Sequence, residues 1–232
     1  MERKNAWKKY PEGKRQEIFA FGEKYKKFIS DCKTERECVT ELKAQAEAAG
    51  FEDLKQVLAS GRTLQTGDKV YAENMGKLLA LFVIGRQPLE KGMNILGAHI
   101  DSPRLDLKQV PLYEDTELAL LDTHYYGGVK KYQWVTLPLA LHGIIVKKDG
   151  TKVTVNIGEK DDDPVFGVSD LLIHLSAEQL EKKAAKVIEG ENLDVLVGSI
   201  PFESEEDEKK AKEAVKTNVL NILKEQYNIE EE

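Results

Sequence analysis

Cysteine is nearly absent from this chain: Cys32 and Cys38 are the only two in 232 residues. Two thiols six positions apart make no disulfide framework and no zinc site by themselves, so they read as small core residues on a helix edge. Long apolar runs are absent too. The longest, residues 78–84, has strand length and falls far short of the ~20 residues of a membrane span. Residues 1–9 (MERKNAWKK) lack an apolar core region, so no secretory signal is expected and the expected compartment is the cytoplasm. An excess of basic charge is missing as well: 34 Lys and Arg stand against 41 Asp and Glu, a net charge of −7. That balance argues against nucleic acid as the main partner, because phosphate binding needs a basic face. There is no His-Glu-x-x-His, no Gly-x-Ser-x-Gly, no phosphate-binding glycine loop, no Cys-x-x-Cys and no internal repeat.

What is present is enough apolar material, 41% of residues, to build a core, in patterns that predict an α/β fold. Ile18, Phe21, Tyr25, Phe28 and Ile29 recur at helical spacing. Thr34-x-x-Glu37 has the form of a capping box, Gly50 stands where a helix would stop, and Cys38, Val39, Leu42 and Ala46 form the stripe between them. Residues 69–73 and 77–84 read as strands joined through Asn74-Met75-Gly76, and 93–98 as a short buried strand. Beyond Pro103 the composition becomes strand-rich, and a boundary is expected near residue 105. Strands are predicted at 118–123, 133–136, 140–147, 152–157 and 193–197, with Asp149-Gly150 as a two-residue hairpin turn. Asp161-Asp-Asp-Pro164 reads as a solvated loop. Ser176-x-x-Gln179 predicts a helix to about residue 188. Ser204-x-x-Asp207 predicts another, with Ala211, Val215, Val219 and Ile222 on one face.

The predicted strand at 93–98 ends abruptly in His99-Ile100-Asp101-Ser102-Pro103, placing polar groups at a sheet edge, where ligands sit in open α/β folds. Two residues apart on extended chain, His99 and Asp101 point the same way. An imidazole suits zinc, and a carboxylate beside it fixes its tautomer. Read alone, the pair admits a metal ligand and a structural histidine about equally.

Gly97-Ala-His-Ile-Asp-Ser-Pro103, continued by Arg104-Leu-Asp-Leu-Lys108, resembles the first metal motif of the aspartyl aminopeptidase and vacuolar aminopeptidase I family of zinc metalloaminopeptidases. Tyr126-Gly127-Gly128-Val129 with Trp134 and the strand at 139–146 is similar to that family's Tyr-Gly-Gly-Gly-x-Trp region. Ser169-Asp-Leu-Leu-Ile-His-Leu175 resembles its Ile-His-Leu helix. The likeness extends over most of residues 60–200.

The resemblance implies a catalytic α/β domain carrying two zinc ions, beginning at residues 1–103, and a β-rich dimerisation domain with helices at 104–232. It implies peptide substrates, and dimers through residues 104–200 that assemble into dodecamers. It makes His99 a zinc ligand oriented by Asp101. It also aligns His174 with a histidine that reaches the active site from the dimerisation domain, as a substrate or oxyanion contact in the neighbouring subunit or as a ligand. Without the resemblance, His174 reads as a half-buried histidine on a short helix, with Leu171, Leu172 and Leu175 around it. The family's later motifs (a bridging aspartate, paired glutamates including the general base, a last histidine) have no counterpart before Glu232. One matching ligand therefore predicts at most one weakly held zinc and no activity from this chain alone. The choice lies between a fragment, one half of a split enzyme with a separate C-terminal half, and an inactive paralogue acting as an oligomerisation or regulatory partner. Arg104, Lys130 and Lys131 are candidate cations for an acidic substrate.

Overall fold

The computed structural model describes residues 3–202 and 210–230. The chain divides into two compact units, Met1–Ser102 and Pro103–Glu232.

The first unit begins with helix α1 (Lys14–Asp31), whose exposed face carries the ion pairs Lys14–Glu17, Glu23–Lys26 and Lys27–Asp31. Its apolar stripe exists as the spacing predicts, yet no α1 residue is buried and Phe21 and Tyr25 lie open. Helix α2 (Glu35–Ala48) starts at the expected capping box. The Thr34 hydroxyl oxygen accepts from the Glu37 amide at 3.3 Å, and a Glu37 carboxylate oxygen accepts from the Thr34 amide at 2.9 Å. These two bonds satisfy N–H groups the helix itself cannot. Gly50, at φ +84°, then turns the chain out of the helix.

Cys38, Val39 and Ala46 form the inner face of α2, which packs on strands β2 (Lys69–Asn74) and β3 (Leu78–Val83). With the short β1 (Glu52–Asp53), these strands make a sheet in the order β1-β2-β3, β1 parallel and β3 antiparallel to β2. Helix α3 (Leu54–Ala59) follows β1 and buries Val57. The β2–β3 turn has Met75 at φ 55° and Gly76 at φ 68°. Arg36 of α2 donates to the Met75 carbonyl at 2.8 Å and anchors that turn.

Residues 93–98 do not form the expected buried strand. They have no regular structure, and Met93, Ile95 and Leu96 are exposed. A buried strand needs neighbours for its N–H and C=O groups on both edges. The β1-β2-β3 sheet does not extend to residues 93–98.

The second unit is built on a wholly antiparallel sheet of β4 (Arg104–Asp115), β5 (Leu118–Tyr126) and β8 (Val195–Gly198), in the order β4-β5-β8. A separate hairpin pairs β6 (Leu141–Val146) with β7 (Lys152–Ile157). Ala119, Leu121, Phe166, Leu193, Val195 and Val215 belong to one buried cluster. Val215 comes from α5 (Ala214–Tyr227). A side chain at Gly198 would stand 3.0 Å from Val219 of α5, so β8 and α5 approach closely there.

The sequence gives β4 away poorly, and it is the longest strand. Pro111 argues against a central strand, and the structure accommodates it at a register shift between Leu107 and Leu112, beside Val110 at φ 50°. Residues 133–136 are not a strand. The chain makes a 3-10 turn at Lys131–Gln133, and Val135 forms an isolated bridge to Val168. Asp149-Gly150 does turn the β6–β7 hairpin, in a longer loop: Lys147 donates to the Thr151 carbonyl at 2.8 Å, with three residues between them.

The helix predicted to residue 188 shrinks to α4 (Ala177–Leu180) and a 3-10 turn at Ala184–Lys186. Ser176 does not cap it; its hydroxyl donates to the Ile173 carbonyl at 3.0 Å. Leu180 is exposed, so packing does not hold a longer helix in place. The last helix is entered through a 3-10 turn at Lys210–Glu213, later than expected. The Ser204-x-x-Asp207 signal lies outside the described residues.

Candidate metal and peptide site

His99 and Asp101 are brought together by a short loop of chain. His99 Nδ1 lies 3.1 Å from Asp101 Oδ1 and 3.1 Å from the Asp101 carbonyl oxygen. Both neighbours are acceptors, so Nδ1 is the protonated nitrogen and donates. Nε2 then keeps its lone pair, the form a metal binds. The imidazole is 85% exposed, and the carboxylate is half-exposed.

Behind this arm, the Cys38 thiol of α2 donates to the carbonyl of Ile100, between the two residues, at a sulfur–oxygen distance of 3.7 Å. Both cysteines are buried, as expected of small core residues, and both are free. Burial pushes the Cys32 thiol up to about 11 and raises that of Cys38. Sequence reading assigns these thiols to packing alone. The contact between Cys38 and the His99–Asp101 segment spans 62 residues and has no local signature.

His174 belongs to the second unit, in a single 3-10 turn, Ile173–Leu175, rather than a helix over 169–175. It is exposed, not half-buried, and so are Leu171, Leu172, Ile173 and Leu175 beside it. The other two histidines are committed to neighbours within this unit. His142 pairs with Glu159 at 2.9 Å, and His124 stacks on Tyr125 with ring centres 5.1 Å apart.

Two of the candidate cations are engaged. Arg104 donates to Asp106 at 2.7 Å and lies 4.1 Å over the Tyr126 ring, and Lys131 stands 5.2 Å over Tyr125. In the Tyr126-Gly127-Gly128 segment, Gly127 adopts φ +79° and packs on Pro103, a conformation that favours glycine.

Among the described residues no three His, Cys, Asp or Glu side chains group to hold a metal. The His99–Asp101 pair fits one corner of a zinc site, a ligand with its orienting carboxylate, and the closed set of four is not assembled from these residues.

Residues 28–232 match the family described as Aminopeptidase I zinc metalloprotease (M18). The chain belongs to the M18 aminopeptidase family. A probable M18 family aminopeptidase 1 of Clostridium acetobutylicum is 64% identical over the whole chain, which covers 49% of that relative. The Thermotoga maritima counterpart is 47% identical, again over the whole chain and 48% of the relative. The crystal structure of aminopeptidase I from Clostridium acetobutylicum matches with a TM-score of 0.85 at 62% identity, over 99% of this chain and 50% of that one. The M18 aminopeptidase structure from Thermotoga maritima matches at 0.86 and 45%, over 99% and 48%. Yeast aminopeptidase 1 shares the fold at a TM-score of 0.62 and 21% identity, over 91% of this chain and 45% of that one. The chain thus spans about half the length of the curated relatives it matches.

Proposed function

We propose that this chain supplies the N-terminal half of an M18 zinc aminopeptidase, one that removes N-terminal residues from peptides. The observation that carries the reading is the His99–Asp101 pair, with Nδ1 held by the carboxylate and Nε2 left for a metal, in a chain of this family. Zinc, when bound, lowers the pKa of water and polarises a scissile carbonyl. Asp101 holds the His99 ring in one tautomer and at one angle. His174 serves a neighbouring subunit, where its imidazole donates to the oxygen that gains charge. Donors of that kind contribute about 2.7–4 kcal/mol. On this reading residues 1–103 begin the catalytic domain and residues 104–232 form the dimerisation domain. Subunits associate through residues 104–200 into the family's dodecamer, in the cytoplasm. No described helix is long and apolar enough to cross a membrane.

The second reading is an inactive paralogue that regulates or caps a full-length relative. It is favoured by the incomplete ligand set among the described residues. A polypeptide carrying the later family motifs, encoded next to this one and restoring activity on mixing, favours the split enzyme; its absence favours the paralogue.

Metal analysis tests the site. The 232-residue chain is expected to hold at most one zinc, weakly, to lose it in His99→Ala, and to leave aminoacyl-p-nitroanilides intact. Two tightly held zinc ions per chain, or binding unchanged in His99→Ala, would overturn the assignment. In an enzyme that also carries the C-terminal half found in the relatives, His174→Ala is expected to lower turnover at least ~10-fold with zinc retained. Lost zinc would make His174 a ligand, and unchanged turnover would remove it from the site.

A further inference from the structure

The arm bearing His99 and Asp101 raises a question of support. It belongs to a stretch without regular secondary structure, and the histidine ring is largely in solvent. A ligand held loosely spends binding energy on its own ordering, whereas a ligand held in place by its surroundings does not. One element that reaches the arm is α2, through Cys38.

The chain of contacts is short. Cys38 lies in the first turn of α2, directly after the capping box formed by Thr34 and Glu37. Its sulfur is 3.7 Å from the Ile100 carbonyl oxygen, an S–H donor to a main-chain acceptor. Cys32, at the C-terminal cap of α1, is the other buried thiol of this unit. Both thiols are 7–8% exposed. Burial raises the pKa of each, so both keep their protons at neutral pH and remain donors. Such a bond is weak, but here it falls on the peptide unit between the two site residues. Rotation of that unit would move both His99 and Asp101.

We propose that Cys38 is a positioning residue for the His99–Asp101 pair, its thiol holding the Ile100 carbonyl so that the imidazole and carboxylate stay in register. The proposal rests on the reading of that pair as the metal corner. Its predicted effect, however, is on backbone order and tautomer in the chain without metal, so it can be tested separately.

The experiment compares wild type, Cys38→Ser, Cys38→Ala and Val39→Ala by NMR of the 232-residue chain. It reads the amide order parameters of residues 99–101 and the His99 tautomer from its ring nitrogen shifts. Val39 is the neighbouring buried α2 residue and has no bond to the arm, so its truncation reports general loss of packing. Cys38→Ala is expected to drop the order parameters from about 0.85 towards 0.6 and to mix the His99 tautomers. Cys38→Ser, which keeps a donor, should stay near wild type. The proposal is overturned if Cys38→Ala leaves the arm unchanged, if Val39→Ala loosens it equally, or if serine fails to rescue in a chain whose α2 signals remain native. Failure of His99→Ala to alter zinc binding would instead defeat the metal assignment and leave the positioning result standing.

Discussion

The Tyr113 hydroxyl donates to Asp194 at 2.7 Å, and the other oxygen of that carboxylate accepts from the Thr123 amide at 3.3 Å. One aspartate thereby ties β4 and β5 to the entrance of β8. Thr123, fully buried, adds a bond from its hydroxyl to the Leu193 carbonyl at 2.6 Å. These bonds cross 70 to 81 residues of sequence, so they close the sheet where local turns cannot.

Removing the phenol should therefore be felt. Tyr113→Phe is expected to cost about 1–3 kcal/mol in denaturant unfolding at neutral pH. Burial, then the bond to Asp194, raises the phenol above its ordinary value. In the unfolded chain the proton leaves near pH ~10. The contribution is thus whole below that pH and is lost as pH rises through the folded value. Wild type should lose stability more steeply than Tyr113→Phe above pH ~10; parallel curves would count against this coupling.

The β4–β5 turn holds the two residues Thr116 and Glu117 at φ 50° and 62°. Both centres of such a turn favour Asn and Gly, and other residues pay strain there. Replacing the pair by Asn-Gly is expected to raise stability by about 1 kcal/mol or more. A lower unfolding midpoint would contradict the turn assignment.

The thiols should be slow. A Cys32 pKa of about 11 leaves little thiolate at neutral pH. Reaction with a disulfide reagent at pH ~7.5 is expected to run on the order of 100-fold slower than for a free cysteine. Denaturant should release both. Rapid labelling of either in the folded chain would place it at the surface.

Leu171, Leu172, Ile173 and Leu175 crowd exposed apolar surface around His174. Apolar patches of that kind associate. Light scattering at micromolar concentration is expected to show a dimer or larger species, reduced by the double change Leu172→Glu and Leu175→Glu. A monomeric wild type would remove this face as the contact.

Several features follow from residues close together in the chain. The Thr34–Glu37 capping box, the stop at Gly50, the alternation of β7 and the Asp149-Gly150 turn are each specified within about five residues, because their bonds are local. The two-residue spacing of His99 and Asp101 belongs to the same class, and their meeting was legible for that reason. Burial was not. Residues 93–98 have the composition of a buried strand and lie exposed, since a strand is buried by neighbours and not by its own side chains. The α1 stripe is open for the same reason. β4 hid behind Pro111, whose cost is absorbed by a register shift that exists only once β5 is paired beside it. The contact from Cys38 to Ile100 and the bond from Tyr113 to Asp194 join residues 62 and 81 apart. Local sequence determined which segments could turn, coil or extend; tertiary structure decided which surfaces were covered and which donor met which distant acceptor, because packing is a property of pairs of elements.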